Sequence, residues 1–186
     1  MNVFVYGNTY TSEQAEGMGE VPLGDWRVDQ VLSGQREWLV FAYGSAMDTN
    51  RFQESGVDGF FEDIVGTGVL RGYDLKFTRR APDGGRADVM EVGGCVEGKV
   101  YRVGTVALEY LLDREGVSGK IYRPTLVDVT VDDALFQDVL VFVTVEKEAE
   151  MCPPAWYAKE ILRGASGWVS DEYMHVFRAK LEATRR

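Results

Sequence analysis

The chain has 186 residues, of which 45% are hydrophobic and 27% are charged, and its formal net charge is −10 at pH 7. This balance is typical of one globular domain with its own core and excludes a disordered or fibrous chain. No lysine and arginine cluster is long enough to follow a phosphate backbone, so neither nucleic acid nor an anionic membrane is an expected partner. A small zwitterionic ligand remains compatible with the sequence.

Three further features limit the class of protein. The longest apolar runs are far shorter than a membrane span, and the N-terminus lacks the pattern of a secretion signal, so we expect a cytoplasmic protein. Cys95 and Cys152 are too few and too far apart for a disulfide framework or a zinc site. The single histidine, His175, excludes metal sites built on histidine pairs, and its place in an amphipathic helix favours a surface or core role over catalysis.

The first residues differ from the rest of the chain. The letters VFVYGN at 3–8 resemble VFAYGS at 40–45, and the stretch between them is rich in glycine and acid without clear periodicity. We interpret residues 1–38 as an N-terminal extension made of one strand plus a loop, which is a candidate remnant of a duplicated half. Residues 39–186 form the predicted main domain, including its C-terminal helices.

Alternating and β-branched runs separated by glycine-rich breaks dominate this domain and predict an antiparallel sheet or barrel. The predicted strands are 38–43, 68–77, 87–92, 96–103, 122–131 and 136–145. We expect a hairpin loop at 81–86 and a tight turn at 92–94.

Helices are predicted in three places. The first is 105–114, with Thr105 as its N-cap and Val106 among the apolar residues that face inward. The second opens with two prolines at 153–154 and is closed by Gly164, because proline suits a helix start and glycine a helix end. The third follows the cap Ser170 and turns Val176, with other apolar residues, toward the core.

Two patterns point to ligand binding only weakly. GGCVEGK, at 93–99, is close to a phosphate-binding loop, but a valine follows the lysine where a hydroxyl is needed, and a strand pattern replaces the required helix. We interpret this segment as a hairpin. Arg79, Arg80 and Arg86 flank a glycine-rich loop and could clamp a carboxylate, although a solvated rim is the more common role of such residues.

Two other features are stronger together. An apolar strand runs into Tyr43, Gly44 and Ser45, where a glycine lets backbone amides turn outward to hold a carboxylate or an oxyanion. An apolar helix ends at Glu115, just before Gly116. Partial burial and the negative end of the helix dipole both raise the pKa of such a carboxylate toward the range of a general base.

At these residues the sequence resembles the gamma-glutamylcyclotransferase superfamily from 39 to 181, with the motifs in the family's order. Five segments carry the resemblance: FAYGS at 41–45, LRGYDLKF at 70–77, GGRADVMEVGGCVEGKVYRV at 84–103, LLDREGVSGKIY at 111–122 and PAWYAKEILRGA at 154–165. Each motif alone is modest, but their joint order is specific. The resemblance implies an α+β fold, a small mixed and mostly antiparallel β-barrel with flanking helices.

The resemblance also implies roles for particular residues. Glu115 becomes the catalytic acid and base. The substrate-binding residues become Tyr43, Gly44, Ser45, Ala46, Tyr122 and Tyr157. One of them departs from the family, because Ala46 stands where the family's Tyr-Gly-Ser-Asn loop has asparagine, and alanine supplies no side-chain hydrogen bond to fix the loop or the ligand.

The implied reaction converts a gamma-glutamyl amine or peptide to 5-oxoproline and a free amine, without cofactor or metal. Ala46 keeps two alternatives open: a non-catalytic module that binds small molecules with the same fold, and a lyase that acts on another gamma-glutamyl conjugate. The expected partner is the small gamma-glutamyl substrate, and a homodimer is compatible with the sequence.

Overall fold

The computed structural model describes residues 2–5, 8–11, 28–29, 31–32 and 36–184. Its strands are β1 (Asn2–Val5), β2 (Asn8–Thr11), β3 (Glu37–Ala42), β4 (Ile64–Arg71), β5 (Asp74–Ala81), β6 (Gly84–Met90), β7 (Cys95–Gly104), β8 (Tyr122–Val131) and β9 (Ala134–Thr144). Its helices are α1 (Thr49–Glu54), α2 (Thr105–Arg114), α3 (Ala155–Ala165) and α4 (Asp171–Ala183).

Five strands close into a barrel in the order β3, β7, β4, β8 and β9. The barrel is completed by a parallel pairing of β3 with β9 at Val40 and Leu140, whereas the other neighbours are antiparallel. The β-branched and aromatic residues that predicted these strands fill its interior, which is why Val96, Val100 and Val129 are fully buried. The predicted α+β fold with a mixed, mostly antiparallel barrel is confirmed.

Two strand predictions need correction. The run predicted as one strand at 68–77 is two strands in different sheets: β4 belongs to the barrel, whereas β5 pairs with β6. The chain breaks at Gly72, whose φ of 84° is accessible to few other residues, so the continuous apolar pattern hides a sharp turn. The GGCVEGK segment is not a hairpin, because it bends at its glycines and then continues as β7, which pairs with β3 and β4.

The β5–β6 hairpin, whose turn is at the predicted 81–86 loop, packs beside the barrel. Asp88 of β6 is completely buried and joins the hairpin to β9 by accepting a hydrogen bond of 2.9 Å from the backbone N–H of Thr144. Thr78 donates a second hydrogen bond, of 2.7 Å, to the same carboxylate, and Lys147 forms an ion pair with it. A buried carboxylate with this many partners holds the hairpin in one position relative to the barrel.

The helix ends also differ from their prediction. Helix α2 is capped by Gly104 and not by Thr105, and Val106 in its first turn is exposed. Helix α3 begins after Pro154 as predicted but runs past Gly164 to Ala165. Ser170 does cap α4 by accepting a hydrogen bond from the backbone of Tyr173, but Val176 is exposed, because α4 buries a narrower face than the pattern indicates.

The N-terminal region contains two short antiparallel strands, β1 and β2, where one strand was predicted. Residues 12–27, which include most of the predicted loop, lie outside the described residues. The proposed boundary at residue 38 stays a prediction, and β3 begins at Glu37. Among the described residues, no helix is both long enough and apolar enough to cross a membrane.

Candidate active site

The loop after β3 forms one wall of a pocket at the end of the barrel. Beyond Tyr43 and Gly44, the chain makes a short 3-10 turn over Ser45–Met47 and then enters α1. Gly44 has a φ of −116°, so it is not in the left-handed conformation. Space explains this glycine instead, because a Cβ here would lie 3.3 Å from the Cβ of Ala87 and 3.5 Å from the Tyr157 hydroxyl.

Three neighbours hold the 3-10 turn from behind. Buried Lys99 of β7 donates a hydrogen bond of 2.7 Å from its Nζ to the Met47 carbonyl, and burial lowers the pKa of that lysine. Asp48 caps α1 and forms an ion pair with Arg163 of α3. Helix α3 approaches so closely that a Cβ on Gly164 would lie 2.5 Å from the Met47 carbonyl carbon. Gly164 therefore serves close packing and does not stop the helix.

Glu115 occupies the C-cap of α2, in a Schellman motif. The Gly116 N–H donates to the Asp113 carbonyl at 2.9 Å, and the Val117 N–H donates to the Leu112 carbonyl at 3.0 Å. Gly116 takes the left-handed conformation that this motif requires, with a φ of 63°. The sequence Glu-Gly-Val thus fixes the backbone of Glu115 where the helix ends.

The carboxylate of Glu115 lines the pocket. Burial raises its pKa above the ordinary glutamate value, against the opposing effect of the nearby Arg114 and Arg79 guanidinium groups. This direction agrees with the prediction made from the end of the apolar helix. Within residues 36–184, no side chain forms an ion pair or a hydrogen bond with this carboxylate, so it is available to contact a ligand.

A second part of the pocket lining consists of three tyrosines whose hydroxyl groups are hydrogen-bonded to the backbone. Tyr157 of α3 accepts a hydrogen bond of 3.2 Å from the Ala87 N–H, and Tyr122 of β8 donates one of 2.8 Å to the Ala87 carbonyl. Tyr43 donates to the carbonyl of Phe142. We call the three tyrosines and Ala87 the inner wall. Its hydroxyl groups already have partners within the protein, which fixes the shape of the pocket.

All the residues that were predicted for the site line this one pocket: Glu115, Tyr43, Gly44, Ser45, Ala46, Tyr122 and Tyr157. Ala46 presents a methyl group there, and its carbonyl accepts a long hydrogen bond of 3.4 Å from Tyr101. The catalytic and binding roles of these residues remain predictions. His175 is exposed on α4 and does not line the pocket.

Sequence reasoning missed three residues around the site. Arg114 was not singled out, although it precedes Glu115 and donates a hydrogen bond of 3.3 Å to the Ser45 hydroxyl. Ala87 and Lys99 were not recognised as supports of the inner wall and of the loop. Lys99 gave one usable signal, because a lysine within the apolar strand 96–103 is expected to have a buried partner.

Of the three arginines near the 81–86 loop, only two reach the site. Arg79 and Arg86 line an adjoining opening, which we call the mouth of the pocket. The mouth shares Ser45, Glu115, Tyr122 and Tyr157 with the pocket. Arg80 points elsewhere and forms an ion pair of 2.6 Å with Glu148. The alternation of β5 separates Arg79 from Arg80, since successive side chains of a strand face opposite sides.

Similar proteins agree with this architecture. The model of the AIG2-like family matches residues 95–177. YkqA of Bacillus subtilis (strain 168), which is named provisionally as a gamma-glutamylcyclotransferase, is 46% identical over 158 residues, or 84% of this chain and 57% of YkqA.

Solved structures give the same result. The crystal structure of YkqA from Bacillus subtilis superposes with a TM-score of 0.85 at 43% identity, covering 88% of this chain and 61% of that one. A structure named gamma-glutamyl cyclotransferase superposes with a TM-score of 0.67 at 23% identity, covering 77% of this chain and 87% of that one, which shows a shared fold.

A closed barrel with this strand order, together with these similarities, defines a gamma-glutamylcyclotransferase-like fold. The chain is similar to the gamma-glutamylcyclotransferase-like superfamily, which confirms the resemblance in its motifs. It spans less than two thirds of the length of YkqA.

Proposed function

We propose that this chain is a cofactor-independent cyclotransferase, which converts a gamma-glutamyl amine or peptide to 5-oxoproline and a free amine. One observation carries the proposal. The carboxylate of Glu115, with its raised pKa and no partner among the described side chains, lines the same pocket as the turn at Ser45–Met47.

In the proposed reaction, the α-amine of the substrate attacks its own γ-carbonyl. A new N–C bond closes the lactam ring, the original amide C–N bond breaks, and the leaving amine departs with a proton. Glu115 removes one proton from the α-ammonium group before attack and a second from the attacking nitrogen after it, and passes each to the leaving amine, which departs as an ammonium ion. The two protons that the attacking nitrogen loses are the two that the leaving nitrogen gains, so no other reagent is needed.

The backbone N–H groups of Ser45 and Ala46 are available to bind negatively charged oxygens of the substrate. In the part of the chain that the structure describes, neither N–H donates to another backbone group. We assign the N–H groups of Ser45 and Ala46 to the α-carboxylate or the oxyanion of the substrate. The fixed inner wall keeps the substrate folded, so that its α-amine stays close to its own γ-carbonyl.

Ala46 supports a second candidate, a binding module without turnover, because its methyl group lines the pocket where the related loop has asparagine. A third candidate is a lyase that acts on a different gamma-glutamyl conjugate. All three candidates use the same pocket and differ in whether the substrate is turned over and in which gamma-glutamyl conjugate is bound.

The test is release of 5-oxoproline from a mixed library of gamma-glutamyl amines and peptides. We expect release by the wild-type protein and almost none by Glu115→Gln. Binding of library members without any release would favour the binding module. Release only from another class of gamma-glutamyl conjugate, and not from the amines or peptides, would favour the lyase.

A further inference from the structure

Arginines surround the mouth of the pocket. Arg51, Arg79, Arg86 and Arg114 all line it, and Glu115 is its one acidic residue among those described. The chain as a whole has 30 acidic residues against 20 lysines and arginines. The mouth therefore carries more positive than negative groups, whereas the chain as a whole is negatively charged.

Two of these arginines have carboxylate partners at the rim. Arg51 lies 3.4 Å from a Glu160 carboxylate oxygen, and Arg86 lies 2.6 Å from one of Asp83. These ion pairs largely cancel the charge that the two side chains bring to the mouth.

The other two arginines have no carboxylate partner within residues 36–184. Arg114 donates only to the neutral Ser45 hydroxyl, and its Nη1 is buried without a hydrogen-bond partner among the described residues. Arg79 has neither an ion pair nor a side-chain hydrogen bond there. A buried guanidinium N–H without an acceptor is costly, so an acceptor supplied by a ligand would be favourable.

Aromatic rings hold the hairpin arginines at the mouth. The Arg79 guanidinium lies 5.8 Å from the centre of the Tyr122 ring, and that of Arg86 lies 5.0 Å from the Tyr157 ring. Arg79 and Arg86 are also directly paired across β5 and β6, so their side chains leave the same face of the hairpin. The guanidinium groups of Arg79 and Arg86 therefore lie against the tyrosine rings of the inner wall, where both residues line the mouth.

We propose that the mouth is a subsite for two carboxylates on the leaving amine, one for each arginine without a carboxylate partner, so that the preferred substrate is a gamma-glutamyl conjugate of an acidic amino acid. This inference rests on the proposed function. The γ-glutamyl half occupies the pocket beside Glu115, so the leaving amine points outward between Arg79 and Arg114. A planar guanidinium binds a carboxylate through two parallel hydrogen bonds, which a neutral alkyl chain cannot accept.

The experiment uses three probes that bind but cannot react: the glutaryl amides of L-glutamate, L-alanine and propylamine. They lack the α-amine that closes the lactam, and they differ in carrying two, one or no carboxylates on the amine side. Calorimetry on the whole chain measures the Kd of each. We expect the glutamate probe to bind at least about tenfold more tightly than the propylamine probe.

Arg79→Gln should reduce this tenfold preference to about twofold or less and change the Kd of the propylamine probe little. Arg80→Gln is the matched control, because its side chain pairs with Glu148 on the other side of the strand, and it should keep the preference. The subsite would be overturned by equal Kd values for the three probes, by a glutamate probe that binds no more tightly than the alanine probe, or by an equal loss for all three in Arg79→Gln.

The proposed function is tested separately by 5-oxoproline release from the corresponding gamma-glutamyl compounds. A probe preference without any release would support the subsite and reject the cyclotransferase. Release that does not depend on the charge of the leaving amine would support the cyclotransferase and reject the subsite.

Discussion

The inner wall and the mouth of the pocket are built on opposite principles. In the inner wall, the hydroxyl groups of Tyr43, Tyr122 and Tyr157 are hydrogen-bonded to the protein's own backbone. At the mouth, Arg79 and Arg114 have no carboxylate partner among the described residues. Groups that are already paired define a shape, whereas unpaired charges are available to a ligand.

This difference predicts where substitutions act. Changes behind the inner wall or behind the turn at Ser45–Met47 should alter stability and turnover for every substrate alike. Changes at the mouth should alter the choice among substrates and leave stability nearly unchanged. Glu115 lines both the pocket and its mouth, so its substitution should affect every substrate.

The largest expected effect is that of Glu115→Gln. Glutamine keeps the shape of the side chain but cannot carry the proton, so turnover should fall by about 10²–10⁴-fold with the fold intact. The measurement is kcat for 5-oxoproline release, with circular dichroism to check the fold. Glu109→Gln, at an exposed position of the same helix, is the control and should be near wild type. Near-normal turnover in Glu115→Gln would end the assignment.

Gly164→Ala tests the packing behind the turn. Alanine normally favours a helix, but here its Cβ would lie 2.5 Å from backbone atoms of Met47 and Asp48. We expect a loss of about 1–3 kcal/mol in the free energy of unfolding, together with lower kcat/KM for all substrates.

Denaturant unfolding measures the first effect. Gly59→Ala, where nothing lies within 4 Å of the added atom, is the matched control. If Gly164→Ala proves as stable and as active as wild type, α3 does not hold the turn.

Tyr157→Phe tests the inner wall itself. Removing the hydroxyl leaves the buried N–H of Ala87 without its acceptor, which typically costs about 1–3 kcal/mol. We expect lower stability and a higher KM whatever the leaving amine. Thermal unfolding and steady-state kinetics on two leaving amines measure both effects. If Tyr157→Phe changed the preference among substrates without changing stability, Tyr157 would behave like a residue of the mouth. That result would contradict the distinction between the inner wall and the mouth.

The smallest effect is expected for Ala46→Asn. An asparagine side chain can bond to nearby backbone and hold the turn at one angle, whereas alanine leaves a wider loop. We predict weak wild-type activity on gamma-glutamyl conjugates of neutral amino acids and a rise in Ala46→Asn. Wild type and variant are assayed side by side on a gamma-glutamyl dipeptide and on gamma-glutamyl alkylamines. Unchanged rates and preference would make Ala46 a neutral replacement and remove the main support for a binding module.

The barrel strands were largely predictable from local patterns, and the residues of the inner pocket were predictable from the resemblance of their motifs to a known family. Periodicity of two identified the barrel strands, and Glu-Gly-Val marked the end of α2 beside Glu115. The helix stop predicted at Gly164 was wrong because the reason for that glycine lies 115 or more residues away in the sequence, at Met47 and Asp48. The role of Ala87 was equally invisible, since only its backbone takes part.

The arginines of the mouth show the same limit. The sequence placed Arg79, Arg80 and Arg86 near one loop but could not say which of them reach the pocket. That choice depends on the register of β5 against β6 and on the packing of the hairpin beside β9. Arg114 arrives from a different part of the chain, and only the fold brings it to the same opening.

The central claim is that Glu115 carries protons in a pocket that raises its pKa, and a titration of its carboxyl group tests this claim most directly. The ¹³C NMR signal of the Glu115 side-chain carboxyl is followed from pH 3 to 9 and assigned by its absence in Glu115→Gln. Because burial raises the pKa, the carboxyl should stay protonated above the ordinary glutamate value of about 4.3, and kcat/KM should rise with pH through the same range as the base form appears. A midpoint at or below about 4.3 would contradict the account.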